Sequence, residues 1–157
     1  MRGIMVVMVT FRRFDASFIA FARRHYQWIA RASLFVIFFY FGFLKLVGLS
    51  PAGDLALGFA AHMGMGAYAM ELFYVLAVVE CFIGVLMLFP KLTRIAIGVM
   101  LAHMVLVCSP LVLYPEAVWV RPLVPNLEGQ YIIKNAALVA LALGLVAATV
   151  PLRPKKR

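Results

Sequence analysis

The chain has 157 residues, of which 66% are hydrophobic and only 13% are charged, and its mean hydropathy is +1.01. A water-soluble domain of this length could not bury so much apolar surface, so the composition excludes a soluble globular protein and predicts an integral membrane protein surrounded by lipid. A net charge of +9 would suggest nucleic acid in a soluble protein. Here the basic residues lie beside the apolar runs and no nucleic-acid-binding motif accompanies them, so no nucleic-acid partner is expected.

The first 30 residues are interpreted as an N-terminal lead-in to the first membrane span. Within them, residues 14–30 read FDASFIAFARRHYQWIA, which alternates aromatic and basic residues at helical spacing. Two interpretations remain open at this point. The segment forms either an amphipathic helix on the inner leaflet or a helical extension of the first span.

Four apolar runs follow, each close to the length of about 20 residues that a membrane-spanning helix needs. They cover residues 32–49, 72–89, 95–114 and 135–152. In lipid the backbone must satisfy its own hydrogen bonds, so each run is expected to be a helix. The sequence therefore predicts an all-α fold, with a four-helix transmembrane domain over residues 31–152 and a basic cytoplasmic tail over residues 153–157.

The orientation is predicted from the Lys and Arg residues near the span ends. They cluster before the first span, between the second and third spans, and in the tail RPKKR, whereas the other two connections hold only Arg121. Because cytoplasmic loops carry an excess of positive charge, both termini are expected to be cytoplasmic. The segment ALGFAAHM, after the first span, is expected to be a short helix over the outer end, and residues 115–130 are expected to form an ordered lid.

One carboxylate, Glu80, lies near the middle of the second apolar run, where charges are costly and usually functional. Helical side chains lean toward the N-terminus of their helix, so Lys45 in the first run and Glu80 lean toward each other. Small residues near both positions, Gly42 and Gly48 beside Lys45 and Ala77 and Gly84 beside Glu80, would let the two helices approach closely. We therefore predict a buried ion pair between Lys45 and Glu80, with a protonated Glu80 bonded to a carbonyl as the alternative.

The polar groups within the spans, including the predicted pair, are candidates for a ligand pocket in the outer half of the bundle. The candidate residues are Lys45, Glu80, His103, Tyr131 and Lys134. For His103 a packing role is the main alternative, and for Lys134 it is a side chain that reaches toward the membrane surface. The two cysteines form no CxxC pair and no metal-binding spacing, so no catalytic residue and no metal site are expected.

Three short motifs resemble the DoxX family of small bacterial membrane proteins. They read FGFLKLVGLSP at the end of the first run, VVECFIGVLMLFP in the second and LEGQYIIKNAALVALAL at the start of the fourth. The loop YPEAVWV is also similar to a related branch linked to reactive-chlorine resistance. The family's Phe-Gly-x-x-Lys element matches Phe41, Gly42 and Lys45, and its buried glutamate matches Glu80.

The resemblance implies a four-helix bundle in the bacterial inner membrane and a link to membrane redox complexes and oxidative stress. Three functional hypotheses follow. The first is a non-catalytic anchor or assembly subunit of a membrane complex. The second is a redox-associated subunit that binds a quinone or another small oxidisable molecule, so quinone is the one candidate cofactor. The third is a small transporter or proton pathway, which the absence of an internal sequence repeat disfavours.

Overall fold

The computed structural model describes residues 2–149, and the side chains of residues 11–149. The predicted basic tail, residues 153–157, lies outside the described residues. Long helices dominate the described part of the chain, and short elements connect them. The long helices are α1 (Arg2–Leu46), α3 (Ala69–Met87), α4 (Thr93–Cys108) and α7 (Leu127–Ala147).

The first helix runs without a break through the boundary between residues 30 and 31. Its 45 residues correspond to about 68 Å, more than twice the thickness of the hydrocarbon core of a bilayer. Of the two interpretations of the lead-in, the structure has the helical extension, since the lead-in and the first span form one helix. The sequence permits this because no proline occurs before Pro51. The helix ends where Gly48 adopts a left-handed conformation with φ +71, and the amide of Leu49 bonds back to the carbonyl of Leu44.

Four helical stretches among the described residues are long and apolar enough to cross a membrane. They are Phe11–Leu46, Gly66–Met87, Pro90–Leu113 and Leu127–Ala147. The four predicted spans fall within or largely overlap these stretches. The fold is therefore all-α apart from one small hairpin, and its composition suits a multi-pass membrane protein.

The two longer connections lie together at one end of the bundle, which we call the capped end. The first contains α2 (Gly53–His62), at the place where the sequence predicts a short helix. The second contains α5 (Pro110–Leu113), α6 (Pro115–Val118) and an antiparallel hairpin of β1 (Trp119–Arg121) and β2 (Val124–Pro125). The rings of His62 and Tyr114 stack with centroids 4.5 Å apart, so the two connections contact each other.

The opposite end carries the tight connection between α3 and α4, and we call it the basic end. A single 3-10 turn, Pro90–Leu92, separates the two helices. Between the two ends lies a core of fully buried side chains from all four long helices. Its largest members are Leu34, Ile83, Met87, Met100 and Leu145.

Helices α1 and α3 approach each other closely at two glycines. A Cβ atom at Gly84 would lie 2.7 Å from the backbone nitrogen of Phe39, and one at Gly42 would lie 2.8 Å from the carbonyl oxygen of Ala77. Contacts this short leave no room for any side chain, since backbone atoms cannot move aside as a side chain can. The two glycines therefore fix the distance between the helices that carry Lys45 and Glu80.

Candidate functional site

A cluster of three buried polar side chains lies between α1, α3 and α4, and we call Lys45, Glu80 and His103 the buried charge cluster. Each of the three is less than 10% exposed. Lys45 lies in the last turn of α1, and its ammonium group contacts carboxylate oxygen Oε2 of Glu80, on the facing side of α3. The predicted contact between Lys45 and Glu80 is thus present in the structure, in the form of an ion pair.

His103 of α4 contacts the other carboxylate oxygen of Glu80. Its ring nitrogen Nε2 lies 3.4 Å from Oε1, and the side chain of His103 is only 3% exposed. The ring of Phe38 packs edge-on against the imidazole, with centroids 5.9 Å apart and an angle of 69° between the planes. One carboxylate therefore links side chains from three helices, and the ring of Phe38 packs against the cluster at His103.

The backbone around the cluster explains why two charged side chains can meet inside an apolar bundle. Gly42, three residues before Lys45, lies against Ala77 and Cys81 of α3, and the thiol of Cys81 lies 3.7 Å from the carbonyl oxygen of Phe39. Small residues at these positions bring the axes of α1 and α3 near enough for a lysine to reach a glutamate. Gly48 does not share this role, because a Cβ there would meet open space.

Each basic side chain of the cluster has an oxygen of Glu80 as its partner. Among the side chains that the structure describes, no buried nitrogen or oxygen lacks a hydrogen-bond partner. Separating two charges from water is costly, and the cost is offset only when the pair is well placed and its remaining atoms are bonded. Glu80 meets that condition through Lys45 and His103. Chemically, the arrangement places an ammonium group and an imidazole nitrogen against the two oxygens of one carboxylate.

Tyr131 and Lys134 do not join the cluster. Tyr131 is 61% exposed, Lys134 is exposed as well, and the Lys134 ammonium lies 5.1 Å from the centroid of the Tyr131 ring. The two side chains form a cation–π pair on the outside of α7 near the capped end. The structure therefore brings together three of the five candidate pocket residues.

A second buried polar group, at the basic end, is not predicted from the sequence, which assigns Arg31 to the basic flank of the first span. Arg31 is only 4% exposed. Its guanidinium donates to the hydroxyl of Thr93 at 2.5 Å and to the carbonyl of Met87 at 3.3 Å, and the Thr93 hydroxyl donates in turn to the carbonyl of Pro90 at 2.6 Å. The signal that could have found it is spacing, because Leu34 follows Arg31 on the same helix face.

At the capped end a polar contact closes the connections over the bundle. His62 Nδ1 lies 3.5 Å from Glu116 Oε1. The Asn126 side chain begins α7 as its N-terminal cap by accepting from the amide of Gly129 at 2.9 Å, and it also donates to the carbonyl of Ala117 at 2.7 Å. These bonds hold the second connection in place at the capped end.

Comparisons with known proteins returned no match: no protein-family model, no curated protein and no solved structure is significantly similar to this chain.

Proposed function

We propose that this chain is a multi-pass protein of the bacterial inner membrane, with both termini cytoplasmic, that acts as a non-catalytic anchor or assembly subunit of a membrane complex. The resemblance of its motifs to the DoxX family supports the location. The observation that carries the function is the closure of the buried charge cluster. Lys45 and His103 each contact a different carboxylate oxygen of Glu80, and all three side chains are buried.

A buried cluster whose charged groups contact one another supports a role in helix pairing. A lysine stranded without its glutamate in an apolar bundle is costly, so the ion pair favours one arrangement of α1 against α3 over any other. His103 also favours one position of α4 against α3, because its imidazole reaches the second oxygen of Glu80. The three helices thereby pack in a single register. A subunit needs such a fixed register if it is to present a constant outer surface to a partner.

A redox-associated subunit that binds a quinone in this region is the alternative. It is favoured by the position of the charged groups, since ionisable residues within a membrane span usually mark a functional site. Glu80 and His103 together could accept and return the protons that accompany quinone reduction. In that case the bundle would have to open around the cluster, because Lys45, Glu80 and His103 are all buried.

A proton pathway across the whole bundle is the least supported hypothesis. Between the buried charge cluster and Arg31 lie the fully buried side chains of Leu34, Ile83 and Met100, none of which can carry a proton. Since Glu80 and Met87 are seven residues apart on α3, this apolar layer is about 10 Å thick. A gap of that length exceeds a single proton transfer between hydrogen-bonded groups.

Purification from native membranes in a mild detergent tests the proposal. Mass spectrometry of the protein fraction and of the lipid extract should find a stoichiometric partner protein and no enriched quinone. The test variant is Lys45→Met/Glu80→Met, which removes both charges together. If the cluster sets the register of the helices, this variant should retain less of the partner protein than the wild type does. The proposal would be overturned in favour of the redox alternative if the wild type contained quinone in an amount equal to that of the protein and the double variant had lost it.

A further inference from the structure

A cleft of about 310 Å³ opens at the basic end of the bundle, far from the buried charge cluster. Three separate parts of the chain form it: α1, the turn between α3 and α4, and the end of α7. Six of its eight lining residues are polar or positively charged, namely Gln27, Arg31, Lys91, Thr93, Arg94 and Thr149.

Within residues 11–149, whose side chains are described, neither Arg31 nor Lys91 forms an ion pair with a carboxylate. The chain has six acidic residues. Four of them, Asp54, Glu71, Glu116 and Glu128, lie at the capped end or in its connections, and Glu80 is held by Lys45. The sixth, Asp15, precedes Arg31 by 16 residues, which is about 24 Å along α1.

Arg31 is the innermost cation of the cleft and is the strongest indication of an anion site. Its guanidinium is buried, yet its bonds go only to neutral oxygens, those of Thr93 and Met87. A guanidinium has five N–H donors in a planar fork, so donors remain for a further acceptor. A buried positive charge without a counter-ion is costly, and an anion in the cleft would remove that cost.

The start of α4 adds to the positive potential. This helix of 16 residues begins at Thr93, so its first turn lines the cleft. The amide of Thr93 itself is bonded to the carbonyl of Pro90. The aligned peptide dipoles at the start of a helix nevertheless carry partial positive charge and favour phosphate groups. Side-chain charge, a buried guanidinium and a helix N-terminus thus converge on the same space.

We propose that this cleft binds a phosphate group, as found in the headgroup of an anionic phospholipid or in a small phosphorylated molecule. Phosphate fits better than a carboxylate because its several oxygens can meet the fork of Arg31 and the charges of Lys91 and Arg94 simultaneously. Basic pockets between helices on the cytoplasmic side are places where acidic headgroups bind. The exposed side chains of Ile29 and Ile95 offer apolar surface near the cleft on α1 and α4 for the chains of a lipid.

Binding is tested on the full chain, purified in a mild detergent and stripped of lipid. The probes are short-chain phosphatidylglycerol, short-chain phosphatidylcholine and inorganic phosphate, and the readout is a dissociation constant from native mass spectrometry or ligand-induced thermal stabilisation. The test variant is Lys91→Gln/Arg94→Gln, whose two side chains are exposed. The matched control is Arg23→Gln/Arg24→Gln, which removes the same charge from exposed positions outside the cleft.

We expect wild type to bind phosphatidylglycerol, the test variant to bind it roughly tenfold more weakly or worse, and the control to bind as wild type does. Competition by inorganic phosphate would identify the phosphate itself as the recognised group. Binding of phosphate without phosphatidylglycerol would assign the cleft to a soluble phosphorylated molecule. Binding of neither probe, equal binding of phosphatidylcholine and phosphatidylglycerol, or an equal loss in the control variant would overturn the proposal.

Discussion

The ammonium group of Lys45 contacts a carboxylate oxygen of Glu80, although the two residues are 35 positions apart in the chain and both are buried. Replacing either one by methionine should lower the free energy of unfolding by about 3–5 kcal/mol, because the change leaves the other charge buried and alone. The double variant should recover much of this loss. Unfolding in mixed micelles, followed by circular dichroism, measures all three values.

The same cycle separates an ionised from a protonated Glu80. If Glu80 were neutral, Glu80→Gln would retain its shape and polarity and would cost little. With an ionised Glu80 the glutamine variant should lose stability almost as methionine does, since Lys45 loses its counter-ion. Losses that simply add in the double methionine variant would contradict the ion pair.

The contact between Lys45 and Glu80 could be predicted because it depends only on helix direction and side-chain size. Side chains lean toward the N-terminus of their own helix, so residues on antiparallel helices lean toward each other when their depths differ in the right sense. Gly42 and Gly84 indicated where the backbones could come close. These are local properties, and the sequence contains them.

The positions of Tyr131 and Lys134 could not be predicted in the same way. They depend on how far α7 is rotated about its own axis, and a helix that is apolar on all sides does not reveal this. The burial of Arg31 was missed for a related reason, because basic residues near span ends are usually placed at the headgroups. Its buried position is stabilised by two partners from other parts of the chain, the hydroxyl of Thr93 and the carbonyl of Met87.

Gly42 is predicted to be intolerant of even one added methyl group. In Gly42→Ala the new carbon would lie 2.8 Å from a carbonyl oxygen and 2.9 Å from a backbone nitrogen, so α1 and α3 must separate. We expect a loss of about 1–3 kcal/mol, measured by the same unfolding assay. Gly98→Ala is the matched control, since nothing lies within 4 Å of its added carbon. Equal stability of the two variants would mean that the helices are not closely packed at Gly42.

Thr93 is predicted to stabilise the basic end through its hydroxyl. Thr93→Val keeps the shape of the side chain but removes the acceptor for Arg31 and the donor to the carbonyl of Pro90. A buried donor left without a partner costs about 1–3 kcal/mol. In the control Thr149→Val, the lost hydroxyl bonds only to the carbonyl of Val146, three residues earlier in the chain. The control should change stability by much less, and a similar loss in both would show that the Arg31 bond contributes little.

The orientation is tested by thiol labelling of intact cells in a background that lacks Cys81 and Cys108. Leu123→Cys, at the 89% exposed tip of the hairpin, should react with a reagent that cannot cross membranes. Lys91→Cys, in the turn at the basic end, should react only after the membrane is permeabilised. This pattern follows from the excess of basic residues at that end. Labelling of both positions from the same side would rule out the antiparallel arrangement of four spans.

Access to the buried charge cluster separates the anchor from the ligand-binding alternative. In the same background, Leu76→Cys lies one helical turn from Glu80, and Leu138→Cys replaces a side chain packed against the core. Because the cluster is closed, a water-soluble thiol reagent should label both far more slowly than Leu123→Cys. Leu145→Cys, in the apolar layer, gives the fully protected reference. Rapid labelling near the capped end, with Leu145→Cys still protected, would mean that water enters from that end and stops at the apolar layer. A pocket of that shape suits a bound ligand, and the quinone alternative would then replace the anchor.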